Sequence, residues 1–253
     1  MSFCSTNASW KTVLVLFMGL TYFLPKLSIG QYSLNTPREI VLLGTGAGMA
    51  GTGFLFLNDF PELSDDELVN LYQTPKEFKF KFDKWATTQS SKKAKKWSDA
   101  LLFSSIVPPL VLLLDQPKTD DIRRTQGVMM LQTTFLNWGL TNLAKRTARR
   151  PRPYMYSDDL FHFPMTTRRT ANSRQSFFSG HTSTTAAFYF FTATTFSQYY
   201  PDSQWKPYVW STSIAIPALT GLLRVKAGKH FPTDVLVGYA VGALVGIIIP
   251  KIH

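Results

Sequence analysis

The sequence predicts an all-α fold, a helical membrane bundle of about five to six transmembrane helices. Five apolar stretches are the first reason, although several are short for a bilayer core of about 30 Å. They span residues 100–114, 128–143, 181–197, 209–223 and 235–250. The last stretch carries Gly238, Gly242 and Gly246, a small-residue face that predicts close helix packing. The mean hydropathy of −0.03 is low for such a protein, so we expect buried polar residues that face the bundle interior.

Residues 1–30 have the features of a secretory signal peptide. Lys11 provides a positive start, residues 12–24 form an apolar core, and Ser28-Ile29-Gly30 is an acceptable cleavage site. An uncleaved anchor helix is the alternative, and either segment directs the chain to or through a membrane. We divide the remainder into an N-terminal region, residues 31–98, and a core, residues 99–253.

A glycine-rich apolar segment follows at residues 40–57. It contains a formal G-x-G-x-x-G at Gly46, Gly48 and Gly51, but a dinucleotide-binding fold needs a second strand before the acidic residue about 20 positions on. No such strand is indicated, so we interpret the segment as a close-packed helix or a bent membrane segment. The run Ser64-Asp65-Asp66-Glu67 predicts the start of the next helix, with a capping hydroxyl and acids in its first turn.

Aromatic and lysine side chains share the segment that leads to the core. Phe78, Phe80 and Phe82 alternate with lysines, and a lysine-rich run at residues 92–96 precedes Trp97. This pattern suits the membrane interface, where lysine stems and aromatic rings lie in the headgroup layer. An amphipathic helix on the protein surface fits the pattern equally well.

The formal net charge of +11 indicates an anionic partner. Helix-turn-helix, zinc-finger and RNP patterns do not occur in the sequence, so lipid or phosphate explains the charge better than nucleic acid does. Cys4 is the only cysteine, which excludes a disulfide framework and a thiolate metal site.

Three polar clusters interrupt the apolar stretches. They are Lys145-x6-Arg152-Pro153, Ser179-Gly180-His181 and Arg224-x5-His230-x3-Asp234. The connections between the predicted helices alternate in a way that brings all three clusters to one end of the bundle. Three cations suit the charge that a phosphoryl group spreads over its oxygens, and a serine hydroxyl and a glycine amide can add hydrogen bonds. The clusters therefore predict a phosphate pocket.

Two histidines and a carboxylate could provide acid catalysis and nucleophilic attack in this pocket. Histidine titrates near neutral pH, so His181 and His230 can divide the roles of acid and nucleophile. Asp234 follows His230 by four residues. If the residues between them open a helix, the carboxylate can hold Nδ1–H and direct the Nε2 lone pair at phosphorus.

In their order and spacing the clusters resemble the signature of the type 2 phosphatidic acid phosphatase (PAP2) superfamily, whose relatives include bacterial class A acid phosphatases and vanadium haloperoxidases. The resemblance implies a PAP2-like core in which His230 is the nucleophile that forms a phosphohistidine, Asp234 is its partner, and His181 is the acid. It assigns phosphate binding to Lys145, Arg152, Ser179, Gly180 and Arg224. It implies no metal and no cofactor. The chain departs from the family pattern at Phe178, where Pro usually precedes Ser-Gly-His, and at Leu223, where Ser usually precedes the arginine.

The activity that this resemblance implies is metal-independent hydrolysis of a lipid phosphate or diphosphate, such as an isoprenyl diphosphate, a phosphatidate-type lipid or lipid A. It places the enzyme in the bacterial inner membrane with its site facing the periplasm, so that residues 40–57 would not fully cross. The alternatives are a soluble periplasmic acid phosphatase with the same pocket, a haloperoxidase, and a non-catalytic membrane protein that binds anionic lipid. The sequence indicates neither the lipid nor the oligomeric state.

Other basic and imidazole side chains carry no such pattern. We interpret Arg146, Arg149 and Arg150 as a solvated or headgroup-facing basic edge, and we expect His162 and His253 at the surface.

Overall fold

A computed structural model describes residues 32–56, 62–64, 66–68, 70, 80–114 and 120–253. This part of the chain consists of α-helices, short 3₁₀ turns and loops, without a strand, so the predicted all-α fold class is confirmed. The helices are α1 (Thr36–Phe56), α2 (Lys92–Ser104), α3 (Val107–Leu114), α4 (Asp120–Ala148), α5 (Met165–Arg169), α6 (Gly180–Tyr199), α7 (Lys206–Lys226) and α8 (Pro232–Lys251). The 3₁₀ turns are Lys81–Thr88, Pro153–Tyr156 and Ala171–Arg174. The predicted signal segment, residues 1–30, lies outside the described residues.

The five predicted core helices are all present. Four extend beyond both predicted ends, and the first extends beyond its predicted start. The first of them is divided into α2 and α3 by a turn at Ser105 and Ile106. Pro108 and Pro109 explain this break, because proline has no N–H to donate to a preceding carbonyl and is favoured in the first turn of a helix, here that of α3. By length and composition, the segments Lys92–Leu114 and Pro232–Lys251 are each sufficient to cross a membrane.

The glycine-rich segment forms α1, which packs along α4. A Cβ added at Gly46 would lie 3.2 Å from the Cβ of Phe135, and one added at Gly139 would lie 2.7 Å from the Cβ of Met49. The interpretation of this segment as a close-packed helix is therefore confirmed. The predicted helix start after it is also confirmed, because Ser64 and Glu67 form a reciprocal capping box, with N···O distances of 3.0 and 3.3 Å.

The predicted glycine face of α8 lies directly on the backbone of α6. A Cβ at Gly238 would approach the carbonyl oxygen of Ser179 to 2.6 Å. At Gly242 the corresponding distance to Ser183 is 2.0 Å, so only glycine fits. This close approach fixes the start of α8 beside the start of α6, which is where two of the three polar clusters lie.

Polar side chains fill part of the bundle interior, as the low hydropathy predicts. Asn137 on α4 donates to the hydroxyl of Thr184 on α6 at 3.1 Å. Five residues earlier on α4, Gln132 donates to Glu39 at 2.5 Å, and the Glu39 carboxylate also lies 2.8 Å from Nε2 of His253. The expectation that His253 lies at the surface is therefore wrong, because its side chain is fully buried against this carboxylate. His162 is about one-third exposed and pairs with Asp159.

Candidate active site

The three polar clusters meet at one end of the bundle, as predicted. Lys145 lies in the last turn of α4, next to the first residue of α6. A Cβ added at Gly180 would lie 3.2 Å from Thr141, a tight contact, and 3.5 Å from Nζ of Lys145, so the lysine ends against the start of α6. Ser179 is the N-cap of α6 and accepts a hydrogen bond from the amide of Thr182. The Ser-Gly-His cluster therefore forms a helix N-terminus, whose free amides and positive dipole end favour an anion.

Arg152 is buried beside the predicted nucleophile. Its Nε donates to the carbonyl oxygen of Asn172 at 2.8 Å, and Nη2 donates to the side-chain oxygen of the same residue at 2.7 Å. Nη1 donates to the carbonyl oxygen of Lys229 at 3.1 Å and lies 3.4 Å from Nε2 of His230. These hydrogen bonds go to neutral groups, so the fixed positive charge of the guanidinium can act on a bound anion.

Arg224 reaches the pocket from the last turn of α7. Its Nη1 donates to Oδ1 of Asp99 at 3.1 Å and to the hydroxyl of Ser98 at 3.3 Å. Among the described residues, its buried Nε has no hydrogen-bond partner. A buried donor without a partner is costly, and a phosphate oxygen would satisfy it.

His230 is buried and held as a neutral imidazole. Its Nδ1 lies 2.7 Å from the carbonyl oxygen of Ser176, which can only accept, so the proton is on Nδ1 and the lone pair is on Nε2. Burial and the nearby charges of Arg152 and Arg224 hold the pKa of His230 well below its usual value. A neutral imidazole with its lone pair directed toward a guanidinium is arranged to attack an anion that the guanidinium binds.

Asp234 does not contact His230 in the direct way that the sequence suggested. The distance from its Oδ2 to Nδ1 of His230 is 3.9 Å. That oxygen instead accepts from the amide of Phe231 at 2.9 Å and from the hydroxyl of Ser176 at 2.5 Å. Because His230 precedes the first turn of α8, the carboxylate caps the helix, and it connects to the imidazole through Ser176.

His181 stands in the first turn of α6 with about a quarter of its side chain exposed. Its Nε2 lies 2.9 Å from Oδ1 of Asp99 on α2. The same carboxylate binds Arg224, and its other oxygen accepts from Lys95 at 2.8 Å. Asp99 therefore connects the predicted acid to one of the predicted phosphate ligands.

Several residues of the site were not predicted from the sequence. One of them is Asp99, which lies between a lysine-rich run and an apolar stretch, a context that does not identify its partner. Asp83, Ser176, Asn172 and Lys229 carry no local signal.

The interpretation of Arg150 as part of a basic edge is wrong. It forms ion pairs with Asp83 at 2.8 Å and with Asp234 at 2.6 Å. Arg149 is exposed, in agreement with the predicted edge, and Arg146 is half-buried. Arg150 therefore belongs to the hydrogen-bonded surroundings of the site, because two buried carboxylates need a cation between them.

Lys229 adds a further cation next to His230. Its Nζ lies 4.7 Å from the ring centre of Tyr154 and 4.9 Å from that of Phe163. Burial, followed by the charge of Arg152, lowers the pKa of Lys229 to about 8. Among the described residues, no group of three or more His, Cys, Asp or Glu side chains is arranged as metal ligands are.

Comparison with known proteins shows the family to which this chain belongs. The model of the PAP2 superfamily matches residues 126–253. A lipid A 1-phosphatase of Rhizobium johnstonii is 33% identical over 118 residues, which cover 46% of this chain and 43% of that protein. A lipid A 1-phosphatase of Rhizobium etli is 32% identical over 117 residues, covering 46% and 45% respectively. The matched region thus spans less than half the length of these relatives, and no solved structure matches the chain. Because the family model covers half of the sequence, including all three clusters, the chain belongs to the PAP2 superfamily.

Proposed function

We propose that the protein is a membrane phosphatase that hydrolyses a lipid phosphate or diphosphate through a phosphohistidine on His230. The observation that carries this proposal is the buried, neutral His230, whose Nε2 faces the guanidinium of Arg152 at 3.4 Å. The N-terminus of α6 and the unpaired Nε of Arg224 supply further donors for an anion at the same place. Cations and donors fixed before the substrate arrives are the main way in which proteins stabilise a phosphoryl transition state.

The reaction follows from the positions of the two histidines. Nε2 of His230 attacks phosphorus, the bond from phosphorus to the lipid oxygen breaks, and protonated His181 gives its proton to that oxygen. His181 then removes a proton from water, the resulting hydroxide attacks phosphorus, and the P–N bond breaks to release phosphate. Asp99 supports the first step, because its carboxylate, 2.9 Å from Nε2, offsets part of the unfavourable effect that burial and the charge of Arg224 have on the imidazolium form of His181.

An apolar cavity supports a lipid as the substrate. It has a volume of about 570 Å³ and lies between the α2–α3 break, α4 and α6. Its walls include Phe103, Ile106, Trp138, Ala187 and Phe188. Phe188 is two helical turns along α6 from His181. A lipid whose acyl chain occupies this cavity could therefore extend its phosphate toward the phosphate pocket. The names of the two rhizobial relatives make the phosphate of lipid A the first substrate to examine.

The test is release of inorganic phosphate from lipid A, phosphatidate and isoprenyl diphosphate in detergent, with EDTA present. Wild type is compared with His230→Ala and with His162→Ala, a matched histidine variant outside the pocket. We expect release by wild type and His162→Ala and none by His230→Ala. Turnover of small phosphate esters alone would favour a soluble-type acid phosphatase. Lipid binding that persists in His230→Ala without any phosphate release by wild type would favour a non-catalytic binding protein.

We propose further that the site faces the periplasm from the inner membrane. Arg149 is exposed at the active-site end, so Arg149→Cys in a Cys4→Ser background provides a single thiol there. A membrane-impermeant maleimide should label this thiol in cells whose outer membrane has been permeabilised. Labelling only after lysis of the inner membrane would place the site in the cytoplasm.

A further inference from the structure

We propose that Asp83 is a positioning residue for the nucleophile, acting through Arg150, Asp234 and Ser176 on the imidazole of His230. Asp83 lies before the residues that the family model matches, so this inference assigns part of the site to the N-terminal region. It rests on the proposed function, in which His230 attacks phosphorus.

Asp83 is buried, and both of its carboxylate oxygens accept hydrogen bonds from residues at the active-site end of the bundle. It lies in the first turn of the 3₁₀ segment Lys81–Thr88 and is 1% exposed. Its Oδ1 accepts from the amide of Thr233 at 3.1 Å, and its Oδ2 accepts from the hydroxyl of Thr233 and from Nη2 of Arg150, both at 2.8 Å. A buried carboxylate is strongly unfavourable without such partners. The amide of Thr233 is one of the free amides in the first turn of α8, so Asp83 also favours that helix end.

Arg150 is fixed between two carboxylates. Its Nη2 donates to Asp83, and its Nη1 donates to Oδ1 of Asp234 at 2.6 Å and to the hydroxyl of Thr233 at 2.7 Å. The guanidinium carbon also lies 4.2 Å from the ring centre of Phe231, the residue after His230. The planar fork of arginine fits this bridge, whereas a lysine could hold only one carboxylate well.

The connection continues from Arg150 to His230 through Ser176. The amide of Ser176 donates to the carbonyl oxygen of Arg150 at 3.0 Å, and its hydroxyl donates to Asp234 at 2.5 Å. Its carbonyl oxygen accepts the proton on Nδ1 of His230 at 2.7 Å. Ser176 is therefore held by the backbone of Arg150 and by Asp234, whose carboxylate the Arg150 guanidinium binds. Loss of Asp83 leaves Nη2 of the Arg150 guanidinium without this carboxylate. The guanidinium then holds Asp234 less firmly, and the Ser176 carbonyl that orients the imidazole becomes more mobile.

This arrangement predicts an effect on turnover more than on substrate binding. The phosphate ligands Arg152 and Arg224 make no hydrogen bond to Asp83, so KM should change little. The direction of the Nε2 lone pair depends on the Ser176 carbonyl, and a small misplacement of a reacting group costs up to about 100-fold in rate. We therefore expect Asp83→Asn to lower kcat by about 10- to 100-fold while KM stays within about threefold.

The experiment compares Asp83→Asn and Arg150→Lys with wild type and with Asp159→Asn, a partly exposed carboxylate variant outside this network. Phosphate release gives kcat and KM. Calorimetry gives the affinity for inorganic vanadate, which becomes five-coordinate when a nucleophile binds it and so imitates the phosphoryl transition state rather than the bound substrate. Both network variants should lose kcat and bind vanadate at least about tenfold more weakly, and the losses in the double variant should not add, because both act through one bridge. Asp159→Asn should match wild type.

The outcomes separate the two proposals. Vanadate binding that is weakened in Asp83→Asn would support the positioning role even if wild type hydrolyses no lipid, which would overturn only the proposed function. A folded Asp83→Asn with wild-type kcat and vanadate affinity, or with a changed KM alone, would overturn the positioning role. If Asp83→Asn does not fold, Arg150→Lys decides, and wild-type behaviour of that variant overturns the proposal. A wild type that neither hydrolyses lipid phosphate nor binds vanadate overturns both.

Discussion

The two histidines of the site are held in opposite ways. His230 is buried and donates to a neutral carbonyl, with the nearest carboxylate oxygen 3.9 Å away. His181 is partly exposed, and its Nε2 lies 2.9 Å from the carboxylate of Asp99. A neutral acceptor fixes the direction of an imidazole without favouring its protonated form, whereas a carboxylate favours the protonated form. The buried, neutral His230 therefore suits a nucleophile. The partly exposed His181 suits a proton donor, because a proton donor must exchange protons with water.

Substitution of each histidine should separate these roles most strongly. His230→Ala should abolish turnover of every substrate, with a loss of roughly 10⁴-fold or more, because the covalent intermediate forms on this imidazole.

His181→Ala should lower kcat on a lipid phosphate by about 10² to 10⁴, the usual contribution of a positioned acid. With p-nitrophenyl phosphate, whose leaving group needs little protonation, the loss in kcat/KM should shrink to about tenfold or less. We compare kcat/KM because it reports the phosphorylation step, before His181 acts on water. An equal loss of His181→Ala activity on both substrates would contradict the acid role.

Removal of the carboxylate beside His181 should have a smaller effect. Asp99→Asn keeps the shape of the side chain but no longer stabilises the imidazolium, and it weakens the hold on Arg224. We expect kcat to fall by about 10- to 100-fold and KM to rise, since an acid and a phosphate ligand are both displaced. Asp120→Asn, at a fully exposed carboxylate, is the control. A change in KM without any change in kcat would show that Asp99 serves Arg224 alone.

The pH profile of activity tests the protonation state of His230. The pKa of His230 is lowered, so the neutral form required for attack persists as the pH falls through about 6.5, the usual histidine value. Activity on the acid side should therefore be lost only well below about pH 6.5. Measurement of kcat/KM from about pH 5 to about pH 9 checks this. Arg152→Gln removes a positive charge and should move the acid limb upward, and an acid limb at or above about pH 6.5 in wild type would contradict the neutral nucleophile.

The smallest effect concerns the helix contact that holds the two histidines together. Gly242→Ala places a Cβ 2.0 Å from the carbonyl oxygen of Ser183, so α8 and α6 must separate. We expect a loss of about 1–3 kcal/mol in the free energy of unfolding, seen as a lower Tm in detergent. Gly48→Ala on α1 meets nothing within 4 Å and should leave Tm unchanged or raise it. Equal Tm values for the two variants would contradict backbone contact between α6 and α8.

The sequence alone was sufficient to predict the all-α fold class, the five core helices and the grouping of the three clusters at one end of the bundle. These features depend on local composition and on the alternation of connections, both of which can be read along the chain. The capping pair Ser64 and Glu67 and the glycine face of α8 were predictable for the same reason, because each follows from spacing within a single helix.

The groups that surround the two histidines could not be predicted, because they come from distant parts of the chain. Asp99 meets His181 across 82 positions, and Asp83 meets Thr233 across 150. Such contacts depend on how helices pack, and a single carboxylate among lysines carries no sign of its partner. The spacing of His230 and Asp234 was also insufficient. His230 stands before the first turn of α8, so its Nδ1 turns to the Ser176 carbonyl, while the carboxylate caps the helix and binds Arg150.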